Sequence, residues 1–127
     1  MANIVDKVSE AEFEILKVFW VNGGPMTDRQ IRDALSEDSG WRKTTIQTLV
    51  KRLVDKGVLL KEKKDVFYYT PTVSLDEFAK ARTEDLVNKV FGGNARNMVS
   101  AMLNNDILSE GDIDNLKSYW QKRKAGK

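Results

Sequence analysis

The sequence predicts a mainly α-helical fold with a small β-hairpin, and three observations carry that prediction. Apolar residues recur at helical spacing along most of the chain, and several of these stretches open on a Ser or Thr placed three residues before a Glu, Gln or Asp. One of them, Trp41 to Gly57, keeps a basic and hydrogen-bonding face opposite its apolar stripe. Directly after it the period switches to β-branched and aromatic runs around the polar turn Lys63-Lys64-Asp65.

In chain order, Ser9-Glu10-Ala11-Glu12 is a capping box, in which a Ser hydroxyl and a Glu carboxylate satisfy each other's orphan amides. The helix it opens carries Phe13, Leu16, Phe19 and Trp20, with Ile15 and Val18 widening the stripe, and Asn22-Gly23-Gly24-Pro25 ends it. Helical spacing accounts fully for these aromatics, which are assigned to the core rather than to a base-stacking platform. Met26 is expected to make one short strand pairing. Thr27-Asp28-Arg29-Gln30 is a second capping box, for a short helix through Ile31, Ala34 and Leu35 that leads into the polar loop Ser36 to Gly40.

The next helix has Ile46, Leu49, Val50, Leu53 and Val54 on one face, with Lys56 in its last turn and Gly57 as a left-handed stop. Its other face carries Lys43, Thr44, Gln47, Thr48, Lys51 and Arg52. A solvated helix face usually mixes charge signs in i, i+4 pairs, and this one does not. From Arg42 to Lys64 there are eight bases (Arg42, Lys43, Lys51, Arg52, Lys56, Lys61, Lys63, Lys64) against two acids, Asp55 and Glu62. Thr, Gln and Arg on such a helix can reach base edges, while Lys reaches phosphates. Val58 to Glu62 and Val66 to Thr70 then read as the strands of a hairpin, closed by Pro71. Two helices joined by a short loop, followed by a hairpin with lysines at its tip, make a winged helix-turn-helix. Its position makes the Lys63-Lys64 turn a phosphate-contact candidate.

A third capping box, Ser74-Leu75-Asp76-Glu77, opens a helix with Phe78, Leu86, Val87, Val90 and Phe91 on its apolar side, broken by Gly92-Gly93-Asn94. A short helix follows with Met98, Val99, Met102 and Leu103. Ser109-Glu110-Gly111-Asp112 opens the last one, carrying Ile113, Leu116 and Trp120, and the basic tail from Gln121 to Lys127 is expected to fray. These stripes need a second surface to cover them, either the winged domain itself or, more economically, a two-fold partner. Residues 1–73 are therefore read as a winged-helix DNA-binding domain and residues 74–127 as a helical dimerisation region. The expected dimer interface is Phe78, Leu86, Val90, Phe91, Met98, Met102, Ile113, Leu116 and Trp120.

The net charge of +2 would not by itself suggest nucleic acid, but its distribution does. From Ser74 to Leu116 eight acids face four bases, the reverse of the middle of the chain. The chain has no cysteine and no histidine, which excludes disulfides, zinc fingers and any Ser-His or Cys-His nucleophile. Its carboxylates pair with no plausible acid, base or cofactor loop, so no catalytic residue, metal site or cofactor is assigned and an enzyme is not expected. The N-terminus lacks a basic region followed by an apolar run, and no stretch approaches membrane-spanning length, so a cytoplasmic protein without membrane association is expected.

This order of motifs resembles the penicillinase-repressor family of bacterial winged-helix regulators, which also holds methicillin-resistance and copper-operon repressors. The matching residues are Ser9-Glu10-Ala11-Glu12 and Trp20; Trp41 with Thr45-Ile46-Gln47-Thr48-Leu49; Arg52-Leu53 with Lys56-Gly57; and Phe67-Tyr68-Tyr69. Val90-Phe91, the Gly-rich break and Leu108-Ser109 extend the likeness to about Trp120. The resemblance implies a homodimeric repressor on a palindromic operator, often with TACA/TGTA half-sites. By position it implies Lys43, Thr44, Thr45, Gln47 and Thr48 toward the major groove, Arg52 on phosphate or bracing the helix, and Lys63 and Lys64 in the wing. Two departures concern the signal. The family's Asn-Phe cleavage site falls here on Ala101-Met102, and the paired Cys-x-Cys motifs of its copper-responsive members are absent. The regulated gene, the inducer and any upstream sensor or protease are therefore left open.

The expected function is a homodimeric, sequence-specific transcriptional repressor on double-stranded DNA. Lys43, Thr44, Gln47 and Thr48 would read bases, and Arg42, Lys51, Arg52, Lys63 and Lys64 would hold phosphates. The alternative is a winged-helix interaction module that docks its basic face on an acidic protein partner.

Overall fold

A computed structural model describes residues 7–36 and 40–126. The elements run α1 (Glu10–Asn22), β1 (Met26–Thr27), α2 (Asp28–Ser36), α3 (Lys43–Asp55), β2 (Leu59–Lys63), β3 (Phe67–Pro71), α4 (Leu75–Val90), α5 (Ala95–Asn104) and α6 (Glu110–Ala125). The strands form one antiparallel sheet in the order β1-β3-β2. This is the expected mainly α fold with a small hairpin, and Met26 makes its short pairing, opposite Tyr69. Most of the loop from Ser36 to Gly40 lies outside the described residues.

All four Ser/Thr boxes form. Ser9 and Glu12 exchange hydrogen bonds at 2.8 and 3.1 Å, Thr27 and Gln30 at 2.9 and 3.2 Å, Ser74 and Glu77 at 3.0 and 3.1 Å, and Ser109 and Asp112 at 3.0 and 3.0 Å. Because each box fixes the first turn of its helix, it also fixes which residues of that helix face inward. Gly23 ends α1 at φ +81°, with its amide on the Phe19 carbonyl, and Gly57 turns the chain from α3 into the hairpin at φ +80°. Residues with a Cβ rarely adopt that region.

The core of the winged helix is Ile15, Leu16 and Phe19 of α1, Ile31 and Leu35 of α2, Ile46, Leu49, Val50 and Leu53 of α3, and Val58, Leu59 and Tyr69 of the hairpin. Phe78 belongs to it as well. Phe78 is 4% exposed, and its ring stacks on Phe13 at 5.1 Å and lies 5.5 Å from Trp20, whose indole N–H donates to the Val73 carbonyl. This corrects its assignment to the dimer interface. The apolar stripe of α4 begins by completing the first core and only later becomes exposed. The chain accordingly divides into compact units Met1–Thr83 and Glu84–Lys127 instead of at Val73, because the first turns of α4 pack with α1. Arg82 seals that packing, donating to the Val8 carbonyl at 2.5 Å and lying over the Phe78 ring.

The tail differs from expectation too. Rather than fraying from Gln121, α6 continues through Ala125. Lys122, Arg123 and Lys124 occupy its last turn, where cations oppose the negative end of the helix dipole.

Candidate nucleic-acid interface

Burial of Ile46, Leu49, Val50 and Leu53 sets the roll of α3 about its axis, leaving Lys43, Thr44, Thr45, Gln47, Thr48, Lys51 and Arg52 exposed. Arg42 precedes the helix as its N-cap and is exposed as well, but its side chain makes no cap hydrogen bond. There is no acid in the first turn, so the positive end of the α3 dipole is uncompensated by its own residues.

The exposed polar groups are partly organised before any ligand arrives. The Thr48 hydroxyl donates to the Thr44 carbonyl at 2.8 Å, which leaves its oxygen able to accept a further hydrogen bond. Lys51 Nζ lies 3.1 Å from Asp55 Oδ2, with both side chains well exposed. Such a pair is worth little in water, so the ammonium can exchange it for a stronger anion. Gln47 Nε2 donates to Asp28 Oδ2 at 3.4 Å, and Arg32 Nε donates to the same oxygen at 2.9 Å.

In the hairpin, the register pairs Lys61 with Tyr69 and Lys63 with Phe67, which puts these four side chains on one face of the wing. Lys61 Nζ lies 4.2 Å from the Phe67 ring centroid and 5.9 Å from that of Tyr69, and Lys63 Nζ lies 5.8 Å from Phe67. On the other face Lys64 Nζ lies 5.7 Å from the Tyr68 ring. Cation–π attraction thus restrains the exposed ammonium groups of the wing. The three lysines are exposed.

One open groove joins the parts: Asp28 from α2, Gln47, Lys51 and Val54 from α3, and Lys61 and Tyr69 from the wing all line it. Burial pushes the Tyr69 phenol above its ordinary pKa, and the Asp28 carboxylate adds to the effect. Sequence reasoning selected Gln47 and Lys51 in this groove but missed Asp28 and Lys61. Lys61 had a signal, the alternation that places it beside Lys63 on one wing face. Asp28 had none beyond its place in a capping box. Of the eight bases counted between Arg42 and Lys64, Lys56 is turned away into an ion pair with the buried Glu12.

In the unit Glu84–Lys127, Leu86, Val90, Leu116 and Trp120 are exposed, and Phe91, Met98, Met102 and Ile113 are partly buried. Ile113, Leu116 and Trp120 line an apolar groove together with Val99, Leu103 and Leu108. Val99 and Leu103, which are not among the residues expected at a dimer interface, line this groove, and Met98 and Met102 do not. Among the described residues no helix is long and apolar enough to cross a membrane, and no cluster of carboxylates is suited to a metal ion.

Comparison with known proteins places this architecture. The chain is 33% identical to the penicillinase repressor of Bacillus licheniformis over 97% of its own length and 96% of the relative's. It is 25% identical to the methicillin resistance regulatory protein MecI of Staphylococcus aureus (strain N315), over 97% and 100% of the two chains. The solution structure of the DNA binding domain of the repressor BlaI superposes with a TM-score of 0.52 at 36% identity, covering 61% of this chain and 93% of that one. The Bacillus licheniformis BlaI monomeric form in complex with the blaP half-operator gives 0.50 at 37% identity, covering 55% and 85%. The penicillinase repressor family model matches residues 8–122, and with these likenesses across nearly the whole sequence the chain belongs to the penicillinase repressor family of winged-helix proteins.

Proposed function

We propose that this protein is a homodimeric transcriptional repressor that binds a palindromic, TACA/TGTA-like operator and is released by a signal still to be identified. The observation that carries the DNA half of this reading is the groove in which the polar face of α3 meets the lysine face of the wing. A relative solved on half-operator DNA supports it. Lys43, Thr44, Thr45, Gln47 and Thr48 are assigned to base edges in the major groove, and Arg42, Lys51, Arg52, Lys63 and Lys64 to phosphates. Thr residues suit the first role because a hydroxyl can accept and a methyl can pack on thymine.

The dimer half rests on the exposed apolar side chains of the unit Glu84–Lys127, which serves as the dimerisation region while the winged helix serves as the DNA-binding domain. Two recognition helices related by a dyad then sit roughly 34 Å apart, or a multiple of that, matching successive turns of duplex.

The test is a salt-titrated fluorescence-anisotropy curve on the DNA upstream of the protein's own gene, against a scrambled duplex of equal length. Binding to the native duplex with a Kd on the order of 10⁻⁸ to 10⁻¹¹ M, by orders of magnitude tighter than to the scramble, is the expected result. Equal, weak and steeply salt-dependent binding to both would leave only a basic surface and turn the reading to an interaction module.

A further inference from the structure

We propose that Asp28 is a specificity-determining positioning residue: through its hydrogen bond it fixes which edge of the Gln47 carboxamide is offered to a base. This rests on the DNA-binding reading above and deepens it. A free glutamine amide is ambiguous as a reader. Its two ends have similar shape, and a half-turn of the terminal bond exchanges a carbonyl acceptor for an N–H donor. Adenine is recognised by an acceptor and a donor side by side, set against its N6 amino group and N7. A reader that flips offers that pair correctly only part of the time.

Asp28 removes the ambiguity by charge. An ionised carboxylate only accepts, so only the Nε2 end of Gln47 can face it, and Nε2 lies 3.4 Å from Asp28 Oδ2. One N–H is thereby committed to Asp28. The second N–H and Oε1 are left as an adjacent donor and acceptor, the complement of adenine. The carboxylate is itself held, because Arg32 Nε donates to the same Oδ2 at 2.9 Å from one turn further along α2. Asp28 and Arg32 are only about one-third exposed, whereas Gln47 is exposed. Orientation therefore passes from a partly buried pair on α2 to an exposed side chain on α3. Arg32 also offsets the negative charge that Asp28 would otherwise bring toward phosphates.

An ordinary structural role for Asp28 has to be separated from this one. An acid in the first turn of a helix with a basic partner at i+4 stabilises that helix by itself. Losing that would weaken the fold or the binding to every sequence alike. It would not change the order in which sequences are preferred.

The experiment is selection and sequencing of a fully randomised duplex library by the full-length wild type, Asp28→Ala, Asp28→Asn, Gln47→Ala and Asp28→Ala/Gln47→Ala, with thermal melts as a control for folding. Wild type is expected to prefer adenine at the position that Gln47→Ala flattens. Asp28→Ala should lower the preference at that same position by about three- to tenfold, the scale of ordering one long side chain, and leave other positions as they were. Asp28→Asn keeps a carbonyl acceptor of the same shape and should retain part of the preference, and Asp28→Ala should add nothing once Gln47 is gone. If wild type discriminates and Asp28→Ala keeps its full preference at the Gln47 position, the positioning role is wrong while the proposed function stands. If wild type prefers no base at any position, the proposed function falls, and this role with it.

Discussion

Lys56, at the C-terminal end of α3, closes a fork on the buried carboxylate of Glu12 in α1, with Nζ 2.6 Å from Oε1 and 2.9 Å from Oε2. The same ammonium donates to the Lys7 carbonyl at 2.6 Å, and Glu12 also accepts the Ser9 amide. Glu12 is 1% exposed, so one carboxylate caps α1 and anchors the far end of α3 from inside the domain. Burial pushes its carboxyl up, but the hydrogen bonds from Lys56 and Ser9 and the charge of Lys56 together outweigh burial and hold it below its ordinary 4.5.

A depressed carboxylate stabilises the fold fully above its unfolded value and ceases to do so as pH falls through the folded one. Wild type should therefore lose stability progressively below pH 4.5. Lys56→Met leaves the buried carboxylate without its cation and should cost about 2–3 kcal/mol at neutral pH, less than a fully buried pair because Lys56 is partly exposed. That deficit should shrink in acid, once Glu12 can take up a proton. Urea melts of both proteins across pH 3 to 7 check this, and a deficit that does not vary with pH would remove the ion pair as its source.

Phe78 supplies a second expectation, because its burial against Phe13 and Trp20 assigns it to the winged-helix core. Phe78→Ala should destabilise that unit by about 3–5 kcal/mol, the usual cost of emptying a packed aromatic site. Under conditions where the variant remains folded, its self-association should match wild type. A raised dissociation constant with unchanged stability would return Phe78 to the interface.

These two residues show what a single sequence encodes legibly and what it does not. Ile46, Leu49, Val50 and Leu53 define a stripe, the stripe defines the roll of α3, and the roll exposes every selected residue of that helix. All of this is local to α3 and needs no knowledge of other elements. The stripe of α4 is just as visible, but periodicity says only that an apolar face is covered, never by what. Spacing therefore groups Phe78 with Leu86 and Val90, although α1 covers it. The Asp28–Gln47 contact joins residues nineteen positions apart across two helices, and neither helix announces it. Glu12 forms the capping box that its spacing from Ser9 predicts, but its second partner, Lys56, sits on a different element, where local spacing gives no sign of it.

The wing and the recognition helix should separate experimentally. Lys64 carries a restrained, exposed ammonium at the hairpin tip. Lys64→Ala should weaken binding to all duplexes alike and reduce the slope of log K against log salt by about 0.9, one phosphate contact. Gln47→Ala should instead reorder the ranking of operator variants with little change in slope. Anisotropy titrations at several salt concentrations read both quantities. A Lys64→Ala protein with the wild-type slope would take Lys64 off the phosphate backbone.

Association is the remaining property to test, and Trp120 is the residue on which to test it. Trp120 is 61% exposed, beside Tyr119 at 66% and Leu116 at 53%, and it lines the apolar groove with Val99, Leu103 and Ile113. Contiguous apolar surface of this kind usually marks an interaction site on a water-facing protein. A large aromatic seated in a partner's groove is the type of residue that dominates such interfaces, at about 2 kcal/mol or more on truncation. Trp120→Ala should accordingly raise the dimer dissociation constant by about thirtyfold or more. Because none of its groove neighbours belongs to the winged helix, the affinity of one protomer for a single half-site should be unchanged. Sedimentation velocity at low concentration measures the first quantity, and binding to a half-site duplex measures the second. If the sedimentation profile matches wild type, Trp120 lies outside the interface; a fall in half-site affinity with dimerisation intact would make its role that of a fold residue.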